Sequence, residues 1–593
     1  MLKQNRAELN YQELVRKARR LQPGVGQKLK IALLADVSTQ HLVPILRALF
    51  ASNGVDAHIY EAGFDTVQLE AFNPASGLYS FEPQLVVILQ SVTKLRGLYY
   101  ESGDRAGFSR SKADGIESVW QAIQSRLSVP IIQSTFVIPY ERAHGHFGAK
   151  VAGTLPGAIS EINRDLCERA QRHASVFICD IDYLAAWAGR RNFFDERLWA
   201  LAKSLCSLEL LPEVAQSIVD IAMASLGRGI KCVVLDLDNT LWGGVIGDDG
   251  LDGIGLGDLD EGGAFRFFQL FLRSLWERGI LLAVCSKNTE STARRVFQEH
   301  PSMILREQHI AMFVANWEDK ASNIRRIREK LNIGFDSMVF LDDNPFERNL
   351  VRQLVPEILV PDLPEDPGLY VRAICELNLF ESAGTSALDS QRTALYQTAE
   401  KRESEKQHFA DLASYLKSLA TVAELRRFDA ASLGRIAQLI QRSNQFNLTT
   451  RRYSQSQCEA LMNDASTYPF SITVRDRFGD FGLIAVIILK HSADTLEVDT
   501  FLMSCRVLQR GVEQYAMNHI VEYARANNFK SVVGRYIPTA KNSMVQEFFG
   551  QFGFERDAHG GTEDGASGTQ WRLAVSRYVP REVFINQPEE IAQ

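Results

Sequence analysis

The sequence lacks the features that would mark a zinc module, a membrane protein or a nucleic-acid binder. Its eight cysteines form no CxxC pair and no cysteine–histidine cluster at zinc-binding spacing. Cys167, Cys179, Cys206, Cys232, Cys285, Cys375, Cys458 and Cys505 are dispersed, most of them inside apolar runs, which predicts buried, reduced thiols rather than a disulfide framework. A basic excess is also missing: 65 Lys and Arg face 72 Asp and Glu, a net charge of -7. The electropositive footprint that phosphate-backbone binding requires is therefore absent. The amino-terminal stretch MLKQNRAELNYQELVRKARRLQ is charged and helical in pattern, with no apolar run long enough for a signal peptide or a membrane span. These absences predict a cytoplasmic protein with no nucleic-acid partner and no membrane.

With 593 residues, 46% of them hydrophobic, the chain is too long for one core, and about 150 residues per domain gives three or four units. The first, residues 1–227, opens with KIALLADVSTQHLVPILRALFASNG: an apolar strand, a polar turn at Asp36 to Gln40, and a helix. The strands LVVILQS and VFICDID that follow imply a parallel sheet with crossover helices. A second unit over 228–365 carries four apolar runs with polar ends. A charged helical connector over 366–419 follows the proline-punctuated PDLPEDPG. The last unit, 420–593, alternates strands (SITVRD, FGLIAVIIL, TLEVDTFLMS, SVVGRYI) with the helical patterns RVLQRGVEQYAMNHIVEYARANN and NSMVQEFFGQFGF.

The chemistry concentrates in the second unit. In VVLDLDNTLWGG an apolar strand runs into Asp236 and Asp238, two positions apart and so on the same side of an extended chain. Two like charges at that spacing call for a shared cation or proton. LLAVCSKN then ends at Ser286, WEDKASNI brings Lys320 to a helix start, and MVFLDDN ends at Asp342 and Asp343. Four such ends in order suit the carboxyl edge of an open parallel sheet, where ligands bind. This set resembles the motifs of the haloacid dehalogenase superfamily. The resemblance implies Asp236 as nucleophile and Asp238 as general acid and base. It implies Mg2+ held by Asp236, the backbone carbonyl of Asp238, Asp342 and, behind them, Asp343. Thr240, Ser286, Lys287, Asn288 and Lys320 are expected to bind the substrate's phosphate. The fifty residues from Asp236 to Ser286 leave room for a flap, GGVIGDDGLDGIGLGD, but not for a large cap, so an open site is expected.

Two further resemblances flank this unit. Strand, Ser38 and Asp195 vaguely resemble the SGNH hydrolases, except that Leu198 stands where a catalytic histidine is expected, so a binding or docking domain of that fold is the preferred reading. The last unit resembles the GNAT acyltransferase fold, whose pyrophosphate loop precedes a helix. Its loop reads Arg506, Val507, Leu508, Gln509, Arg510, Gly511, and Gln509 replaces the first glycine of the GNAT pattern, which weighs against free coenzyme A. The fold class expected is α/β and multi-domain: an SGNH-like sheet domain, a Rossmann-like phosphatase domain with a minimal cap, and a GNAT-like α+β domain.

Together, DLDNTLWGGVIGDDG, LDDNPFERN and MSCRVLQRGVE make the chain resemble the FkbH-like family. That resemblance implies a bifunctional glyceryl transferase and phosphatase of polyketide biosynthesis. It would take a glyceryl group from 1,3-bisphosphoglycerate, remove its phosphate and load it as a thioester onto an acyl carrier protein. Cys505 is the expected transient acyl carrier; Arg506, Arg510 and Gly511 are expected at the phosphopantetheine arm, with Arg451 and Arg452 as docking arginines for an acidic carrier. Two alternatives stay open: a phosphatase fused to a coenzyme A-dependent N-acetyltransferase acting on a sugar, and a non-catalytic scaffold for carrier proteins.

Overall fold

The computed structural model describes residues 9–22, 24, 26–382, 384, 393, 412–443, 445–504, 507–508, 510–539, 542–556 and 568–586. Cys505, Arg506, Gln509 and half of the predicted connector lie outside the described residues. The chain divides into two compact units, Met1–Ile230 with Leu359–Thr385, and Lys231–Ile358 with Ser386–Gln593.

The first unit holds a five-stranded sheet of β1 (Gln27–Ala35), β2 (Val55–Glu61), β3 (Leu85–Leu89), β4 (Ile131–Ser134) and β5 (Val176–Cys179), in the order β2-β1-β3-β4-β5. Every pairing is parallel. Strands β2 and β4 add to the three that the apolar runs predicted, because VDAHIYE and IIQS are too polar or too short to stand out. In β1, Ile31, Leu33 and Ala35 pack on one face and Ala32 and Leu34 on the other. A strand covered on both faces reads as a continuous apolar run, as KIALLA does. The chain leaves β1 toward β2 and returns to β3 on the opposite side, so the order reverses between β1 and β3. Asp195, weighed above as a catalytic acid, caps the helix Glu196–Ala202 by accepting from the Leu198 N–H at 2.8 Å. The late segment returns to this unit through Asn378, whose side chain donates to Asp220 at 2.9 Å.

The second unit contains two sheets. One is parallel, of β6 (Cys232–Leu235), β7 (Leu281–Ser286), β8 (Ile310–Ala315) and β9 (Met338–Leu341), ordered β8-β7-β6-β9. All twenty of its residues are buried. Its order reverses between β6 and β9, so residues just beyond Leu235 and Leu341 share one crevice. The other sheet has seven strands: β10 (Val422–Arg427), β11 (Thr467–Asp476), β12 (Gly479–Ser492), β13 (Thr495–Met503), β14 (Ser531–Tyr536), β15 (Glu555–Arg556) and β16 (Thr569–Ala574). Only β13 and β14 pair in parallel, over Thr495–Val498 and Ser531–Gly534. Beyond Val498, β13 pairs instead with the chain's own residues: Leu448 N–H donates to Phe501 and Met503 N–H to Phe446. No helix among the described residues is long and apolar enough to cross a membrane.

Five cysteines, Cys179, Cys206, Cys232, Cys285 and Cys458, are buried free thiols as predicted, whereas Cys167 and Cys375 are exposed. Burial pushes the Cys458 thiol up to about 12, out of the reactive range.

Candidate active site

The β8-β7-β6-β9 edge gathers the predicted groups because each follows a strand that ends there. Asp236 comes one residue after β6, and its N–H donates to Leu341 at 3.0 Å, locking the ends of β6 and β9 together. Asp342 and Asp343 follow β9, and Ser286 ends β7. Lys320 opens the helix Lys320–Leu331, which Asp319 caps by accepting from Ser322 at 2.8 Å.

Asp236, Asp342 and Asp343 each present a carboxylate oxygen within 4.8 Å of the others. Lys320 Nζ lies 2.9 Å from Asp236 Oδ1 and 2.6 Å from Asp342 Oδ2. Burial lowers the tendency of Lys320 to carry charge, but the flanking carboxylates outweigh it and hold its pKa above the usual range. For the acids the balance runs the other way. Burial first and the Asp236 charge second push Asp342 and Asp343 up from the usual carboxylate range. Asp236 Oδ1 is buried, and its contact with Lys320 is an ion pair without the geometry of a full hydrogen bond. One ammonium does not neutralise three clustered carboxylates, and their oxygens are the hard donors that Mg2+ takes. The donor set therefore fits that ion.

Asp238 is held apart from the cluster. Its Oδ1 accepts from Trp242 Nε1 at 2.9 Å and the Ile246 N–H at 3.1 Å, and its Oδ2 accepts from Asn288 at 2.9 Å. Oδ1 is saturated, so Oδ2 is the oxygen with capacity for a proton. Ile246 belongs to the expected flap, a short loop closed by paired hydrogen bonds between Gly243 and Gly255 (3.0 and 2.7 Å). The flap thus supplies a donor to Asp238.

Several predicted phosphate ligands are engaged elsewhere. Thr240 is fully buried and braces Asp343: its hydroxyl donates to Oδ1 and accepts from the Asp343 N–H, both at 3.2 Å. Lys287 pairs with Glu347 at 2.6 Å. Asn288 donates to Asp238 and, at 3.2 Å, to Ser286 Oγ. Those three hold other groups, which leaves Ser286 and Lys320 as the predicted phosphate ligands that stand at the strand and helix ends of this edge. Arg348 was not singled out from sequence. It is buried and donates to the backbone oxygens of Asp342 (2.8 Å) and Asp343 (2.6 Å), fixing the turn that presents both acids. The signal for that turn was Asn344-Pro345, a cap and first helical residue for Pro345–Leu354.

Three of the arginines expected near the last unit's loop have partners within the fold. Arg451 pairs with the buried Asp499, which also takes Lys490 at 2.7 Å and Tyr453 at 2.7 Å. Arg452 is half-buried and donates to the backbone oxygens of Ile440 and Ser443. Arg510 lies 3.4 Å from Asp476 and over the Phe481 ring. Gly511 does occupy the cap of the helix Val512–Ala526, with φ +84°, a conformation that a side chain would strain.

An open parallel sheet whose carboxyl edge bears this acid cluster, its lysine and a separately held aspartate defines a phosphatase domain. Residues 30–223 match the family model for the FkbH N-terminal domain. The chain is 38% identical to the N-terminal part of BF1531 from Bacteroides fragilis, described as containing a phosphatase domain and crystallised with Mg; the match has a TM-score of 0.60 and covers 63% of this chain and 100% of that one. The chain belongs to the FkbH-like family and contains a phosphatase domain. A spermidine N-acetyltransferase from Vibrio cholerae, solved with CoA and spermine, is 16% identical over 26% of this chain and 97% of its own, with a TM-score of 0.21. No curated protein matches the chain.

Proposed function

We propose that this protein is a Mg2+-dependent phosphatase coupled to an acyl transferase, and that it loads a glyceryl group from 1,3-bisphosphoglycerate onto an acyl carrier protein. The observation that carries the phosphatase half is the acid cluster of Asp236, Asp342 and Asp343 under Lys320, with Asp238 oriented separately for proton transfer. The Asp236 carboxylate attacks phosphorus and the bond to the glyceryl oxygen breaks, while Asp238 gives its Oδ2 proton to the leaving oxygen. Water then attacks the same phosphorus, Asp238 takes its proton back, and the Asp236–phosphorus bond breaks to release inorganic phosphate. When bound, Mg2+ supplies positive charge to the phosphoryl oxygens. Lys320 adds a second fixed charge, and Ser286 offers a hydroxyl donor.

A substrate tethered to a carrier needs an open site, and the short Gly243–Gly255 loop leaves one. Trp317, 75% exposed, stands on the loop before Lys320, and Phe346, 69% exposed, in the first turn of the helix that follows Asp342 and Asp343. Exposed aromatics of that size suit contact with a large partner. In the transfer half, a thiolate attacks the carbonyl carbon of the acyl phosphate and phosphate leaves. Cys505 remains the proposed thiol because of its place in MSCRVLQRG. The carrier's arm is expected at the helix start after Gly511, since the β13 edge beyond Val498 is already paired.

The test is intact-mass analysis of protein and carrier after incubation with Mg2+ and 1,3-bisphosphoglycerate. Wild type should leave a dephosphorylated glyceryl thioester on the carrier. Asp236→Asn should leave the group phosphorylated, and Trp317→Ala should slow turnover of the carrier-bound group while hydrolysing p-nitrophenyl phosphate normally. A carrier that never gains mass, or one loaded normally by Cys505→Ala, contradicts the transfer half.

A further inference from the structure

The first unit holds a cavity of about 230 Å³ over the carboxyl ends of β3 and β4. Its polar wall is Lys112, Gln90 and Gln133, and its apolar wall is Ile88, Phe108 and Val119. At about 30 Å³ per water, the space suits a molecule of roughly eight heavy atoms. Three features distinguish it from a packing defect. The first is its place beside β3, next to the point where strand order reverses, the edge at which open parallel sheets bind ligands.

The second is Lys112. Among the described residues it has no hydrogen bond and no ion pair, whereas its neighbour Lys94 pairs with Asp65. Burial foremost, with the Lys94 charge adding, holds the Lys112 ammonium below the usual lysine range and outweighs the more distant charges of Asp36 and Asp65. An anion beside it would relieve both effects. Gln133 faces the same space but is fixed: it accepts from Trp120 Nε1 at 3.1 Å and donates to the Ser134 backbone oxygen at 3.0 Å. A polar wall that is braced from behind is a built wall.

The third is Gly115, inside the helix Phe108–Gln124. Its backbone is ordinary, and a β-carbon there would meet no atom within 4 Å. Glycine is the poorest helix former after proline, so neither conformation nor crowding accounts for it. A side chain at that position would enter open space beside the cavity that Gly115 lines.

We infer that this cavity is a binding site for a small organic monocarboxylate, its carboxylate on Lys112 and its apolar body against Ile88, Phe108 and Val119. The site is separate from the phosphatase edge, so it does not depend on the function proposed above.

The test is calorimetric titration of the full chain with hexanoate and with hexanamide, its uncharged counterpart. Hexanoate should bind saturably, and hexanamide about tenfold more weakly. Lys112→Met should weaken hexanoate by about tenfold and leave hexanamide unchanged, because only the charge pair is lost. Gly115→Leu should abolish binding of both by filling the space, and Gly115→Ala, which keeps the helix, should weaken both. Circular dichroism of each variant checks that the helix persists. No saturable hexanoate binding by wild type, or wild-type affinity in either Lys112→Met or Gly115→Leu, would overturn the inference.

Discussion

The two all-parallel sheets solve the same problem in opposite ways at their carboxyl edges. At the β6–β9 edge, three carboxylates and one lysine are packed within ion-pair reach of one another. At the β1–β5 edge, the buried Asp36 accepts from the Ser91 N–H at 2.7 Å, and Lys112 lines the cavity with no hydrogen bond or ion pair among the described residues, the two feeling each other's charge only at longer range. The first arrangement concentrates charge for a reaction on a highly charged group. The second spaces single charges so that each keeps its own balance, as expected for recognition rather than phosphoryl chemistry.

The largest effect should come from removing the cation of the crowded edge. Lys320→Met leaves Asp236 and Asp342 facing each other, and at an effective dielectric near 20 the lost pair is worth ~4 kcal/mol. Hydrolysis of p-nitrophenyl phosphate should fall by about a thousandfold in kcat. A loss of only a few-fold would mean that Lys320 balances the acids in the resting protein and takes no part in turnover.

A smaller effect, of opposite sign in pH, should mark the sparse edge. Burial pushes Asp36 up to about 7, against the opposing pull of the Ser91 N–H. Its pKa is thus higher in the folded chain than in the unfolded one, so the native state holds the proton more tightly. That contribution to stability is complete below about pH 4 and is lost as pH rises to about 7, at most ~4 kcal/mol. Asp36→Asn should flatten this decline. Thermal unfolding between pH 5 and 8 measures it, and parallel curves for the two proteins would show that Asp36 is ionised in the folded state.

The contrast also explains what could be read from the chain. Asp236, Ser286, Lys320, Asp342 and Asp343 were legible because each ends an apolar run or begins a helix, and the strand order does the rest. The residues that hold them were not. Asn288 reaches Asp238 across 50 positions, and Lys287 reaches Glu347 across 60. A lysine or asparagine next to a strand-end serine gives no sign in sequence of the distant carboxylate it pairs with. The partner of Arg451 was equally hidden, because Asp499 lies 48 residues on and buried in β13. The cavity beside β3 left no trace in sequence: its walls come from separate strands and one helix, and Gly115 looks like any glycine.

The central claim is that the β6–β9 edge is a Mg2+-dependent phosphatase centre built on Asp236. Hydrolysis of p-nitrophenyl phosphate by the full chain, titrated with Mg2+ in wild type and Asp236→Asn, tests it most directly. Activity should saturate with Mg2+, vanish with EDTA and be absent in the variant. Metal-independent hydrolysis, or a variant that keeps wild-type activity, would contradict it.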